Sequence, residues 1–203
     1  MLKLSLIIGI CFITSSLSAQ MDSDYFKCHS VLKELITSFD SLILEPKEFT
    51  IQYEKVQKEF GDCIKKYKVP DFKARTIKND SISLSSFENK VVVINFWNVD
   101  CPPCLVELPI LNKIAGDFQK TEVIFISISN NYLRENVKKF VSNLITIENA
   151  TEISNLFGVL SYPQKLVLRK NHFVQHLFFG INTKNIEGFE NEIKIAIDRA
   201  MSE

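Results

Sequence analysis

Two cysteines separated by two prolines, Cys101-Pro102-Pro103-Cys104, stand between segments of different periodicity, and that junction limits the folds open to the chain. Before it runs Val91-Val92-Val93-Ile94-Asn95, an apolar, β-branched stretch that predicts a buried central strand. After it, Leu108, Leu111, Ala115 and Phe118 recur at helical spacing. The cysteines therefore fall where a strand ends and a helix begins. There, unpaired N–H groups and the helix dipole favour a thiolate. Extending the helical phase back from Leu108 puts Cys104 on the inward stripe and Cys101 at the helix mouth. One accessible sulfur and one sheltered sulfur is the arrangement that dithiol–disulfide exchange needs.

The chain has 203 residues, 46% of them hydrophobic, which suits one globular domain plus an appendage. Its 24 basic and 24 acidic residues balance, so charge makes no case for a nucleic-acid partner. Residues 1–19 read as a signal peptide. Lys3 is followed by the apolar Leu4 to Phe12 and by the small residues Ser15-Ser16-Leu17-Ser18-Ala19, with cleavage expected near Ala19-Gln20. The alternative is an uncleaved membrane anchor. Export to the periplasm is the expected location, and it permits stable disulfides. Cleavage would remove Cys11 and leave Cys28, Cys63, Cys101 and Cys104, for which three pairings exist.

Residues 20–68 predict a helical hairpin. Phe26, Val31, Leu32, Leu35, Ile36, Phe39, Leu42 and Ile43 form one apolar stripe, and Phe49, Tyr53, Val56, Phe60, Ile64 and Tyr67 form a second. Leu44-Glu45-Pro46-Lys47 separates them. Cys28 and Cys63 lie on the two stripes, nearly equidistant from the break, which predicts a structural Cys28–Cys63 disulfide worth about 4 kcal/mol. The alternative is a second redox-active pair.

Residues 69–203 predict an α/β domain with a mixed central sheet flanked by helices. Phe72 to Thr76 and Ser81 to Leu84 read as short extended pieces about an Asn79-Asp80 turn. Val123 to Ile128 is a second buried strand, and Leu133 to Val141 a helix. A short strand at Leu144 to Ile147 and a helix over Ala150 to Phe157, stopped by Gly158, come next. Leu166 to Leu168 and Phe173 to Phe179 form a hairpin, and Ile186 to Met201 a closing helix.

These residues resemble the thioredoxin superfamily, and within it the TlpA/ResA-like exported thiol–disulfide oxidoreductases. The likeness covers about residues 69–200 and rests on Ser83 to Trp97, on Cys101-Pro102-Pro103-Cys104, on Glu107-Leu108-Pro109 and on Phe157-Gly158-Val159-Leu160-Ser161-Tyr162-Pro163. It implies a thioredoxin-like fold and a cis Tyr162–Pro163 bond packed against the redox pair, where the residues alone suit an ordinary turn proline. It also implies that Glu107 manages the proton of the sheltered thiol, where the residues alone equally suit a solvated glutamate.

The expected chemistry is exchange of a Cys101–Cys104 disulfide with protein disulfides, Cys101 attacking and Cys104 resolving, without a cofactor. The reductant direction and a membrane thiol reductase as electron donor come from the resemblance, and the clients are proteins bearing disulfides. Trp97, Pro102, Pro103, Tyr162 and Pro163 are the expected substrate-facing residues, although Trp97 equally suits plain core packing. Asp100 departs from the tryptophan often found in related sequences, and its charge would oppose a Cys101 thiolate. No metal is expected, because a structural zinc site usually takes four ligands and His29, His172 and His176 lie at spacings that complete none. His172 reads as an exposed turn residue and His176 as a strand-surface one.

Two alternatives stand beside this reading. One is a peroxiredoxin-like thiol peroxidase, although Asn95 to Cys101 lacks the Pro-x-x-x-Thr-x-x-Cys setting such enzymes usually carry. The other is a non-enzymatic binding module that works through the helical hairpin.

Overall fold

The computed structural model describes residues 24–30, 32–33, 37, 46–119, 121–181 and 185–203. The expected signal peptide and its cleavage site lie outside the described residues, as do Val31, Leu35, Ile36, Phe39, Leu42 and Ile43 of the first predicted stripe. The chain divides into two units, Met1–Val69 and Pro70–Glu203.

In the first unit, α1 is helical at residues 24–30, 32–33 and 37, and α2 spans Pro46–Ile64. Tyr25, Cys28 and Leu32 are buried at the i, i+3, i+7 spacing of one helix face. Phe26, expected on that stripe, is 40% exposed, because it sits one residue round from Tyr25; its ring edge still meets Tyr25 and His29. Val56, Phe60 and Ile64 bury the matching face of α2. Phe49, also expected inside, is exposed and stacks on Tyr53 instead. A Cys28–Cys63 disulfide joins the two helices, with the Cα atoms 5.8 Å apart.

The second unit opens with the two-stranded antiparallel ribbon β1 (Lys73–Arg75) and β2 (Ser81–Ser83), turned by Asn79 at φ 69°. A 3₁₀ turn at Leu84–Phe87 feeds the main sheet. That sheet holds β3 (Val91–Trp97), β4 (Val123–Ser129), β5 (Ile145–Ile147), β6 (Gln164–Leu168) and β7 (Val174–Phe179), in the order β5-β4-β3-β6-β7. β3 runs parallel to β4, and β4 to β5, whereas β6 is antiparallel to both β3 and β7. The helices are α3 (Pro102–Asp117), α4 (Glu135–Lys138), α5 (Thr151–Leu156) and α6 (Ile186–Ser202). Between β4 and β5 the expected long helix is only the single turn of α4 followed by a 3₁₀ turn at Lys139–Val141.

Every residue of β3 is buried, so its two faces belong to two cores. Val91, Val93 and Trp97 meet Leu108, Leu111 and Ile114 of α3 and Phe189, Ile193 and Ile197 of α6. On the opposite face, Phe96 packs on Phe157, which in turn meets Phe72. This is the mixed sheet flanked by helices that the sequence predicts.

His172 corrects one expectation. It occupies the β6–β7 turn at φ 63° but is only 2% exposed, because a ring nitrogen reaches the Phe87 carbonyl at 3.2 Å. His176, on β7, is half-buried with its ring 4.1 Å from that of Phe178.

Candidate active site

The site forms at the C-terminal end of β3. Trp97 closes the strand fully buried, its indole N–H donating to Ser127 Oγ of β4 at 2.8 Å. Residues 98–100 then turn the chain, with Asn98 Oδ1 accepting from the Asp100 amide at 2.8 Å. Cys101 is the N-cap of α3. Pro102 and Pro103 follow where a helix tolerates proline, since the first-turn amides lack intrahelical acceptors.

Cys101 and Cys104 are joined by a disulfide with a Cα–Cα distance of 5.3 Å. Their surroundings differ. Cys104 is fully buried among Trp97, Leu108 and Leu111, whereas Cys101 is half-buried at the helix mouth. The Cys104 amide donates to Cys101 Sγ at 3.3 Å. A backbone donor and the helix dipole thus converge on the outer sulfur, and both favour its charged form.

Glu107 lies one turn beyond Cys104, on the inward side of α3, and is fully buried. Burial raises its carboxyl from an ordinary 4.5 to about 7, against the pull of a neighbouring ammonium. That ammonium belongs to Lys165 of β6, whose Nζ stands 2.6 Å from Glu107 Oε2 with both side chains wholly inaccessible. Lys165 is itself shifted downward, by burial first and in opposition to Glu107. Its Nζ also donates to the Gly180 carbonyl at 2.8 Å and lies 5.0 Å from the centre of the Phe189 ring. Among the described residues, Glu107 Oε1 is buried without a hydrogen-bond partner, as are both polar atoms of Asn95, which faces Lys165 across the β3–β6 ladder.

Sequence reasoning missed Lys165. The available signal was a lysine at the start of an apolar run, Leu166-Val167-Leu168, where a two-sided central strand has no solvent to offer it.

The Tyr162–Pro163 peptide bond is cis, and Pro163 is buried directly before β6. The Gly180 amide donates to the Pro163 carbonyl at 2.8 Å, tying this loop to the end of β7. Asn130 holds the neighbouring residue: its Nδ2 donates to the Tyr162 hydroxyl, while its Oδ1 accepts from Ser154 Oγ at 2.6 Å.

The expected substrate-facing residues separate into two groups. Pro102 and Pro103, which follow Cys101 directly, are exposed, as are Leu105 and Val106 of the same helix, and Tyr162 is half-exposed. Trp97 and Pro163 are buried and present none, and Trp97 supports the site from beneath. Asp100 is exposed and meets Arg134 at 2.9 Å, so the opposing charge expected beside Cys101 has a cation against it. Among the described residues, no group of three or more His, Cys, Asp or Glu side chains is placed to hold a metal ion.

Known proteins resemble this chain in sequence and in fold. A model of the AhpC/TSA family matches residues 66–177, a stretch that holds Cys101, Cys104, Glu107, Pro163 and Lys165. The thiol-disulfide oxidoreductase ResA of Geobacillus thermodenitrificans is 28% identical over 120 residues, covering 57% of this chain and 69% of the relative. The thioredoxin-like protein YneN of Bacillus subtilis is 26% identical over 135 residues, covering 64% and 77%. Among solved structures, a thiol:disulfide interchange protein of the thioredoxin family from Chlorobium tepidum superposes with a TM-score of 0.54. It has 21% identity and covers 64% of this chain and 95% of that one. A secreted Mycobacterium tuberculosis disulfide oxidoreductase superposes at 0.51 with 20% identity, covering 63% and 95%. These structures share the thioredoxin-like fold. With more than half of its residues matched by the family model, the chain belongs to the AhpC/TSA family and carries a thioredoxin-like domain.

Proposed function

We propose that this chain is an exported thiol–disulfide oxidoreductase that reduces protein disulfides with its Cys101–Cys104 pair. The observation that carries the reading is the inequality of the two bonded sulfurs. Cys101 is half-buried at the helix mouth and accepts from the Cys104 amide, whereas Cys104 is fully buried one turn before a buried carboxyl group. The names of the curated relatives point the same way.

The cycle needs no cofactor. The Cys101 thiolate attacks one sulfur of a client disulfide, and the other leaves as a thiolate. Cys104 then loses its proton and attacks Cys101 Sγ, closing the Cys101–Cys104 bond as the mixed disulfide breaks. The client gains the two electrons that the dithiol loses. In an oxidising compartment a membrane thiol reductase would have to restore the dithiol, and this is the electron donor we assign. Pro102, Pro103 and Tyr162 would line the client's approach.

Reduced protein should cleave the disulfides of a test protein such as insulin, and Cys101→Ala should abolish that reaction. Turnover of peroxide with a thiol reductant, in the absence of any action on protein disulfides, would replace this reading with the peroxidase one.

A further inference from the structure

We propose that Lys165 is a positioning residue for the proton that leaves Cys104: it holds one carboxylate oxygen of Glu107 and keeps the other, Oε1, available to accept that proton. The inference rests on the proposed exchange reaction and adds to it a residue on a different strand.

The geometry around Lys165 is that of a fixed ammonium. Its three N–H donors have three receivers: Glu107 Oε2 at 2.6 Å, the Gly180 carbonyl at 2.8 Å and the face of Phe189 at 5.0 Å. The side chain has no exposed surface, so water does not compete for it. A carboxyl buried alone would stay protonated and unable to accept anything. An ammonium in contact with Oε2 favours the carboxylate, and Oε1 is the oxygen left without a partner among the described residues. In the resolving step the Cys104 Sγ–H proton passes to Glu107 Oε1. The sulfur's electron pair forms the bond to Cys101, the Cys101–client bond breaks, and the departing client thiolate takes a proton from water.

Other groups face this pair from the packed elements. On α6, Glu190 is engaged at the surface by Lys113 and Lys194. On β7, His176 stands against Phe178, the ladder partner of Lys165. β3 offers Asn95, which carries no charge, and α3 the dithiol itself. The ionisation of Glu107 answers to burial and to Lys165.

The test follows closure of a mixed disulfide between Cys101 and a small aromatic thiol, by stopped flow across pH, in the full chain. Wild type should show an acid limb. Lys165→Met should move that limb to higher pH and slow closure roughly tenfold at neutrality, the equivalent of one pKa unit. In a Glu107→Gln background, Lys165→Met should cost nothing further. An unmoved limb, or an equal loss in both backgrounds, overturns the proposal.

Should Lys165→Met not fold, the infrared difference between wild type and Glu107→Gln reads the carboxyl directly. Its protonated band should vanish as pH rises through neutrality, and a band that persists well into alkaline conditions overturns the proposal. Neither readout uses a protein client. Failure to reduce protein disulfides would therefore sink the proposed function while leaving these results to stand by themselves.

Discussion

The backbone amide of Cys104 points at the sulfur of Cys101 across 3.3 Å, so the helix that carries the pair also stabilises charge on its outer member. The inner sulfur has no such access, being enclosed by Trp97 and the apolar side of α3. In the reduced protein, alkylation should modify Cys101 first. Cys104 should lag by more than tenfold, the order expected when one thiol is activated and the other is buried. Peptide mapping after a short pulse of iodoacetamide measures the ratio.

Glu107 makes stability depend on pH. Its folded value is about 7 against an ordinary 4.5, so the folded protein holds a proton that the unfolded chain releases between those limits. The contribution is therefore complete below 4.5 and lost as pH rises through about 7. Chemical denaturation should show wild type losing on the order of 3 kcal/mol relative to Glu107→Gln across that window. A parallel pair of curves would contradict the assignment.

Arg134 and Asp100 form an exposed pair, Asp100 directly preceding Cys101, both about two-thirds accessible. Such pairs are worth about 0.2–1 kcal/mol and are screened by salt. Arg134→Ala should uncover the Asp100 charge and slow thiolate attack by Cys101 about two- to threefold at low ionic strength. The difference should fade in high salt, and Asp100→Asn should cancel it. Stopped-flow reaction of the reduced dithiol with a neutral disulfide gives the rates.

The Cys28–Cys63 bond joins two residues 35 positions apart in the first unit. Replacing both cysteines by alanine should destabilise that unit by about 4 kcal/mol on chain-entropy grounds. Hydrogen exchange along α2 should accelerate accordingly. The exchange rate of the Cys101–Cys104 pair should remain within about twofold, well under the tenfold that corresponds to 1.4 kcal/mol.

What was legible in the sequence was whatever periodicity and spacing encode. Val91 to Asn95 announced a buried central strand, which the structure extends to Trp97, and the cysteines that follow announced a helix mouth with unequal sulfurs. Phe26 was misplaced because adjacent aromatic residues, Tyr25 and Phe26, differ by only one step of helical phase. His172 looked exposed because turns usually are, yet its left-handed backbone folds the ring inward to the Phe87 carbonyl. Lys165 was invisible for a deeper reason. Its partner Glu107 is 58 residues earlier, and only the closing of β6 against β3 beneath α3 brings the two charges together. Buried ion pairs of this kind follow from tertiary packing, which no local pattern reports.

The central claim is that the two sulfurs act in a fixed order, Cys101 outward and Cys104 behind it. Trapping tests it most directly: reduced Cys104→Ala and Cys101→Ala variants are each mixed with an oxidised protein client, and the covalent adducts are counted by mass spectrometry. A stable mixed disulfide should form on Cys101 in the first variant and none on Cys104 in the second; comparable adducts from both would refute the fixed order.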